Sequence, residues 1–302
     1  VVVASALAVV AEFANHVPAP TDATTTASAE ATTTVRRRGG AGLRSGGATV
    51  GSVKSNVAAE LGLAMEAVVT TGGHDQPVCA VGAGAIEEGV ADLSMGTVEC
   101  CTSTHGSLIL SDEALNHNIP VYHHALPGHF TSLAYIFTSG AVLKWYRDNF
   151  AAEESARAAE EGRSVYELLF EEVPDDFTDI LLVPHFAGTG TPPLDPLAKG
   201  AIINLNLATT RKNLFHACAQ GAVLEMAVNI EALRACRLAP HTINAIGGGA
   251  RSPKWLQMRA DAMGVRVNRM GVDEAGCAGA AILAGLGTGV YTAVSYTHLR
   301  AH

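Results

Sequence analysis

Asp75 is the side chain of this sequence best placed for chemistry. An apolar run, Glu66-Ala-Val-Val-Thr70, leads into Thr71-Gly72-Gly73-His74-Asp75-Gln76, and the small-residue segment Val81-Gly-Ala-Gly-Ala85 follows. The pattern predicts a buried strand that ends in a turn which two glycines allow to bend sharply, with Asp75 on it. An acidic side chain at a strand end is where an α/β protein would carry a catalytic carboxylate. The same residue would also serve to cap the next helix or pin the turn, and the local sequence allows either.

Two further stretches suit phosphate or nucleotide. Ala91 to Cys101 alternates as a β-hairpin with Gly96-Thr97 at or near its tip. A Gly-Thr turn offers free backbone N–H groups and a hydroxyl, which suits a phosphate and equally suits an ordinary hairpin. Thr242-Ile-Asn-Ala-Ile246 reads as a strand running into Gly247-Gly-Gly-Ala250; Ser252 then caps a helix that begins at Pro253 and stops at Gly264. Strand, glycine loop and helix N-terminus together make an anion or nucleotide site. The loop is not G-x-G-x-x-G and lacks an acidic ribose partner some twenty residues on, which counts against a dehydrogenase.

The elements that must position these residues alternate as in an α/β protein. A short helix is expected over 56–61 with Gly62 as its stop, and a helix of small residues over 78–85. Pro120 to His129 reads as irregular, with histidines too poorly spaced for a metal. Gly140 to Asp148 is an amphipathic helix, and 151–171 a charged, exposed helical pair. Asp179 to Val183 reads as a buried strand, 186–195 as a rigid loop and Ala201 to Leu207 as a strand. Thr210 caps a long helix, Val265 to Met270 is a strand, and Asp273 or Glu274 opens a final helix whose glycines permit close packing. Residues 1–16 suggest one apolar helix, and 17–34 are a low-complexity linker.

Totals narrow the function. With 48% hydrophobic and 16% charged residues, most of the 302-residue chain can bury a core. A formal net charge of −9 argues against nucleic acid as the main partner. The six cysteines form no C-x-x-C pair, so they are read as buried thiols in a reducing, cytoplasmic setting, with no metal site. The apolar start, Val1 to Val10, is too short to span a membrane.

These motifs, in this order, resemble the FGGY family of carbohydrate kinases. The resemblance runs from about Val50 to Val294 and rests on Gly72-Gly-His-Asp-Gln76, Ser94-Met-Gly-Thr97, Gly140-Ala-Val-Leu-Lys-Trp-Tyr-Arg-Asp148, Phe186-Ala-Gly-Thr-Gly-Thr-Pro192 with Asp195-Pro196, and Gly247-Gly-Gly-Ala-Arg-Ser252. It implies the α/β fold of the actin-like ATPase superfamily, with RNase H-like domains built on a mixed sheet flanked by helices. Residues 1–48 match poorly. Residues 49–84 would be the end of the family's first domain, 85–294 its second, nucleotide-binding domain, and 295–302 a tail foreign to the family.

The resemblance also implies roles. Asp75 matches the catalytic base, which accepts the proton of a sugar hydroxyl as it attacks the γ-phosphate of ATP. His74, Asp75 and Gln76 would bind the sugar, although His74 also reads as a turn residue. Thr97, Gly140, Lys144, Gly248, Gly249 and Ser252 would lie near the nucleotide; Lys144 departs from the family pattern and also reads as a solvated helix charge. The implied substrates are ATP with Mg2+ and a ketose such as xylulose, without nucleic acid or membrane, and a homodimer is compatible with the sequence. The family's Asp-x-Gly-Thr phosphate loop does not occur here, so the chain is expected to be a fragment that alone is weak or inactive. The alternatives are a non-catalytic nucleotide- or sugar-binding protein on the same fold, and another actin-like ATPase.

Overall fold

The computed structural model describes residues 45–292, apart from Glu66. The expected helix over 1–16, the linker over 17–34 and the tail over 295–302 lie outside the described residues. In chain order the strands are β1 (Thr49–Ser52), β2 (Val68–Thr70), β3 (Val90–Met95), β4 (Glu99–His105), β5 (Val121–His123), β6 (Phe130–Ile136), β7 (Leu181–Val183), β8 (Ala201–Ile203), β9 (Thr242–Ile246) and β10 (Arg266–Arg269). The helices are α1 (Ser55–Glu60), α2 (Asp75–Gly82), α3 (Asp112–Asn116), α4 (Gly140–Phe150), α5 (Ala152–Glu161), α6 (Val165–Glu171), α7 (Arg211–Ala235), α8 (Pro253–Met263) and α9 (Ala275–Gly287). Among the described residues no helix is long and apolar enough to cross a membrane.

The chain forms two compact units. One contains the described residues up to Ile86 together with His124–His129 and those from Glu274 onward; the other contains Glu87–His123 and Phe130–Asp273. The division falls at 86/87, and α9 packs within the first of these compact units.

In the first unit β1 and β2 pair antiparallel. Gly47 and Ala48 close onto Thr71, through Gly47 N to Thr71 O at 2.8 Å and Ala48 N to Thr71 Oγ1 at 2.9 Å. The helices α2 and α9 then pack backbone to backbone. A Cβ at Gly82 would lie 1.9 Å from Ala275 O, and one at Gly279 would lie 1.9 Å from Val78 O, so only glycine allows this approach. Val78, Val81, Ala125, Leu126, Ile282 and Leu283 form the small core beside it.

The second unit is built on a six-stranded mixed sheet in the order β10-β9-β3-β4-β6-β5. β9 runs parallel to both β10 and β3, and β3, β4, β6 and β5 are antiparallel neighbours. Alternation puts Ala91, Leu93, Met95, Cys101, Ala134, Ile136, Ile243 and Ala245 on one face. There they join the main core with Tyr146 of α4, Phe215 and Met226 of α7 and Trp255 of α8. The opposite face presents Asp92 in register with Asn244 and Thr102, and Asn244 with Asn268.

Several expectations hold to the residue. Thr210 caps α7 with a full capping box to Asn213, and Ser252 caps α8, with Pro253 first and Gly264 left-handed at φ 60° as its stop. Others are corrected. Val121–His123, within a stretch read as irregular, is an edge strand. The elements β6 and α3 had no counterpart in the sequence reading. The strand expected over 201–207 stops at Ile203, because Asn204 turns left-handed (φ 68°) and donates Nδ2 to Asp179 O at 2.9 Å. β7 pairs only with β8 in a separate small sheet; Leu182 is buried in the main core as expected, while Leu181 is exposed.

Candidate functional site

The acid of the first unit stands on a helix rather than on a free turn. Asp75 is the first residue of α2, and His74 occupies the N-cap without a side-chain cap bond. Asp75 therefore does not cap its helix. Its Oδ1 accepts from the next backbone N–H, Gln76 N, at 2.8 Å, and lies 3.3 Å from His74 Nε2. The Asp75 side chain is 77% exposed. A carboxylate at a helix N-terminus is favoured by the aligned peptide dipoles, and this one keeps its second oxygen toward solvent. Neither glycine before it adopts a left-handed φ. Gly72 has open space around it, and Gly73 is confined by Ala125, whose Cβ would lie 3.1 Å from a Cβ added there. The two glycines provide room beside the acid rather than a sharp bend.

The second unit gathers three of the glycine motifs at one end of its central strands. The parallel strands β3 and β9 end side by side, with Ser94 opposite Ile246. The Gly96–Thr97 turn leaves one strand and the Gly247–Ala250 loop leaves the other. Gly247 is left-handed (φ 85°) and lies against Met95, whose carbonyl oxygen would be 2.9 Å from a Cβ at this position. Gly249 is wedged between Met95 and Trp255, while nothing lies within 4 Å of a Cβ added at Gly248. The open side of the loop is thus at Gly248. Thr97 is exposed.

Gly140 belongs to the same assembly for a backbone reason. Gly140 N donates to Gly96 O at 3.0 Å, and Ser139 N and Ala141 N both donate to Thr97 O at 3.1 Å. A Cβ at Gly140 would stand 2.5 Å from Gly96 O. The first N–H groups of α4 are therefore taken by the hairpin turn, and Gly140 acts on this turn by close approach. Ser252 Oγ accepts from Trp255 N at 3.3 Å, holding the start of α8 under the glycine loop. Lys144 lies apart from these contacts: its Nζ bonds Asp148 Oδ2 at 2.6 Å, an exposed pair one helical turn apart.

Beneath the turn is a group that sequence reasoning missed. Glu99, two residues beyond Thr97, and Arg259 of α8 are both fully buried, and Arg259 Nη2 donates to Glu99 Oε2 at 2.6 Å. Ser139 Oγ also donates to Glu99 Oε2. Burial pushes the Glu99 carboxyl above its ordinary value, opposed by the Arg259 charge and the Ser139 hydroxyl. Burial lowers Arg259, opposed by Glu99. Asp92, fully buried on the other face, is held well above the usual carboxylate range by burial, with the Thr102 hydroxyl opposing. Nothing local marks Glu99 or Arg259, which are 160 residues apart.

Comparison with known proteins identifies the family. Residues 91–288 match the model of the C-terminal domain of the FGGY family of carbohydrate kinases. The chain belongs to this family. An FGGY relative, the xylulose kinase of Bacillus subtilis, is 30% identical over 244 residues, covering 80% of this chain and 46% of the relative. A glycerol kinase of Rhodopirellula baltica is 35% identical over 157 residues, 52% of this chain and 28% of the relative. Among solved structures, a xylulose kinase from Rhodospirillum rubrum superposes with a TM-score of 0.69 at 25% identity, covering 83% of this chain and 49% of that one. The fold is thus that of the sugar kinases among the actin-like ATPases. The chain spans about half the length of the curated xylulose kinases it matches.

Proposed function

We propose that this chain carries the nucleotide-binding part of an ATP-dependent sugar kinase, together with the segment that bears the catalytic base. The observation that carries the reading is the FGGY family match over 91–288, the span that includes the Gly96–Thr97 turn, Gly140 and the Gly248–Gly249 loop. In this reading the adenosine packs on Gly248 and Gly249 above the start of α8 at Ser252. The phosphates meet the Thr97 hydroxyl at the exposed tip of the turn, whose Gly96 N–H is kept by Val98 O at 3.0 Å. Lys144 reaches the nucleotide only by releasing Asp148.

Asp75 is the general base. As the sugar hydroxyl oxygen attacks the γ-phosphorus, the carboxylate accepts the hydroxyl proton, the bond from the γ-phosphorus to its bridging oxygen breaks, and ADP leaves. Phosphoryl transfer needs alignment and charge management more than covalent help, so a fixed, solvent-facing carboxylate is sufficient. His74 and Gln76 hold the sugar on either side of it in sequence. Mg2+ supplies charge neutralisation on the phosphates when bound. Among the described residues no group of three His, Cys, Asp or Glu side chains is arranged to hold a metal, which suits an ion that arrives mainly on the phosphates.

The substrate class is a ketopentose such as xylulose, a choice supported by the relatives named xylulose kinase. A cytoplasmic location accords with six cysteines that are joined in no disulfide among the described residues. The test measures ADP binding and xylulose-dependent ADP release by the purified chain, beside Asp75→Asn. Binding retained by both proteins, with sugar-dependent release confined to the unsubstituted chain, is the expected result. Binding without turnover in either supports the non-catalytic nucleotide-binding reading, and sugar-independent phosphate release supports a different ATPase.

A further inference from the structure

We infer that the buried Glu99–Arg259 pair, joined through Ser139, sets the phosphate turn, the start of α4 and the glycine loop in one register. Glu99 and Arg259 are then positioning residues for the nucleotide. The inference rests on the nucleotide-binding reading above and extends it to residues that touch no ligand.

Four connections converge on the pair. Glu99 begins β4, immediately after the Gly96–Thr97–Val98 turn, and its carboxylate anchors the strand end below the turn. Ser139 precedes α4, where a serine ordinarily accepts from its own helix. Here it makes no such cap; its hydroxyl donates to Glu99, and it accepts from Arg259 Nη2 at 3.3 Å. The same residue's N–H donates to Thr97 O, so Ser139 links the pair to the turn through both of its donors. Arg259 lies over the Trp255 ring, 4.4 Å from its centroid, and Trp255 Nε1 donates to Ala219 O at 3.1 Å. The edge of that indole is the surface on which Gly249 rests.

A buried ion pair is a costly way to obtain stability, since well-packed apolar residues of similar volume do as well or better. What the pair adds is direction. Arg259 presents a planar fork that fixes the carboxylate, and the carboxylate fixes a hydroxyl whose backbone meets the turn. Moreover, Glu99 Oε1 and Arg259 Nε and Nη1 are buried without a hydrogen-bond partner among the described residues. The pair is therefore not optimised for its own satisfaction.

The test compares the chain with the apolar double variant Glu99→Leu/Arg259→Met and with the milder Ser139→Ala. Titration calorimetry measures ADP and adenosine, and mass-resolved amide exchange follows the peptide containing 139–141. The expected result for the double variant is a folded protein whose ADP affinity falls about 10- to 100-fold, the loss of a charged hydrogen bond. Adenosine affinity falls by less, through the glycine loop that rests on Trp255, and amides 139–141 exchange faster; Ser139→Ala loses ADP affinity and protection at 139–141 at smaller size. A folded double variant that binds ADP as tightly as the unsubstituted chain, with unchanged exchange at 139–141, overturns the inference. If the unsubstituted chain binds no ADP, the nucleotide reading fails, and the exchange at 139–141 alone decides the positioning claim.

Discussion

Asp75 and Glu99 are both carboxylates beside glycine-rich turns, and the structure treats them in opposite ways. Asp75 is 77% exposed and meets its two immediate neighbours, His74 and Gln76. Glu99 has no exposure and is held by groups 40 and 160 residues away. A carboxylate that is to exchange protons with a substrate must stay reachable and keep an oxygen free. One that is to hold a turn in place must be fixed from several directions and kept from water. Sequence context made Asp75 conspicuous and left Glu99 invisible, although the geometry around the phosphate turn depends on the second.

Substitution at each acid separates the two roles. Asp75→Asn is expected to lower sugar-dependent ADP formation by about 10²- to 10⁴-fold, the usual range for loss of a positioned base, with the thermal melting curve unmoved. An unchanged rate would remove Asp75 from the mechanism. Arg259→Met alone is expected to destabilise by about 3–5 kcal/mol in urea unfolding, because it strands a buried charge at Glu99. Most of that loss should return in the double variant with Glu99→Leu. If the single variant unfolds like the unsubstituted chain, Glu99 is not the buried partner described.

Glycines sharpen the same contrast. Gly140→Ala places a methyl group 2.5 Å from Gly96 O and should cost about 1–3 kcal/mol by overpacking. Gly248→Ala meets nothing within 4 Å; it should leave the melting temperature in place while weakening ADP binding. Equal stability effects at the two positions would contradict the assignment of one glycine to packing and the other to the ligand.

Asp92 gives a pH-dependent test. Its carboxyl keeps a proton in the folded state to a higher pH than in the unfolded chain, where it titrates near 3.8. Unfolding therefore releases this proton at any pH between the two values, and stability falls as pH rises through that interval. Asp92→Asn should remove this part of the decline, so the variant gains on the unsubstituted chain between pH 4 and neutrality in urea titrations. A constant difference across that range would mean that Asp92 does not retain its proton. The smallest effect is expected from Lys144→Ala. It should change neither melting nor ADP affinity, since the ammonium pairs with exposed Asp148; a clear loss of ADP affinity would bring Lys144 into the nucleotide site.

Much of the scaffold was legible because its signals are local. The Thr210 cap, the Ser252-Pro253 start and Gly264 stop of α8, and the Gly96–Thr97 hairpin are contacts within a few residues, so short windows of sequence contain them. β6 was not legible. Its Phe130-Thr-Ser-Leu-Ala-Tyr-Ile136 stretch gains its ladder from β4, and a strand is defined by its neighbour as much as by its own residues. The shortened β8 shows the reverse case, an apolar run stopped by one left-handed asparagine.

By itself, then, the sequence determined which residues are candidates for the chemistry and the order in which they occur: the acid after Gly72-Gly73, the Gly-Thr turn, the glycine loop before Ser252. It did so because residue type, caps and turn glycines act over a few positions. Only the tertiary structure decided that Asp75 begins a helix instead of capping one. It also brought Gly140 into close contact with Gly96, and buried Glu99 against Arg259. Each of these depends on chain segments brought together from 40 residues or more, or on backbone geometry that no short window contains.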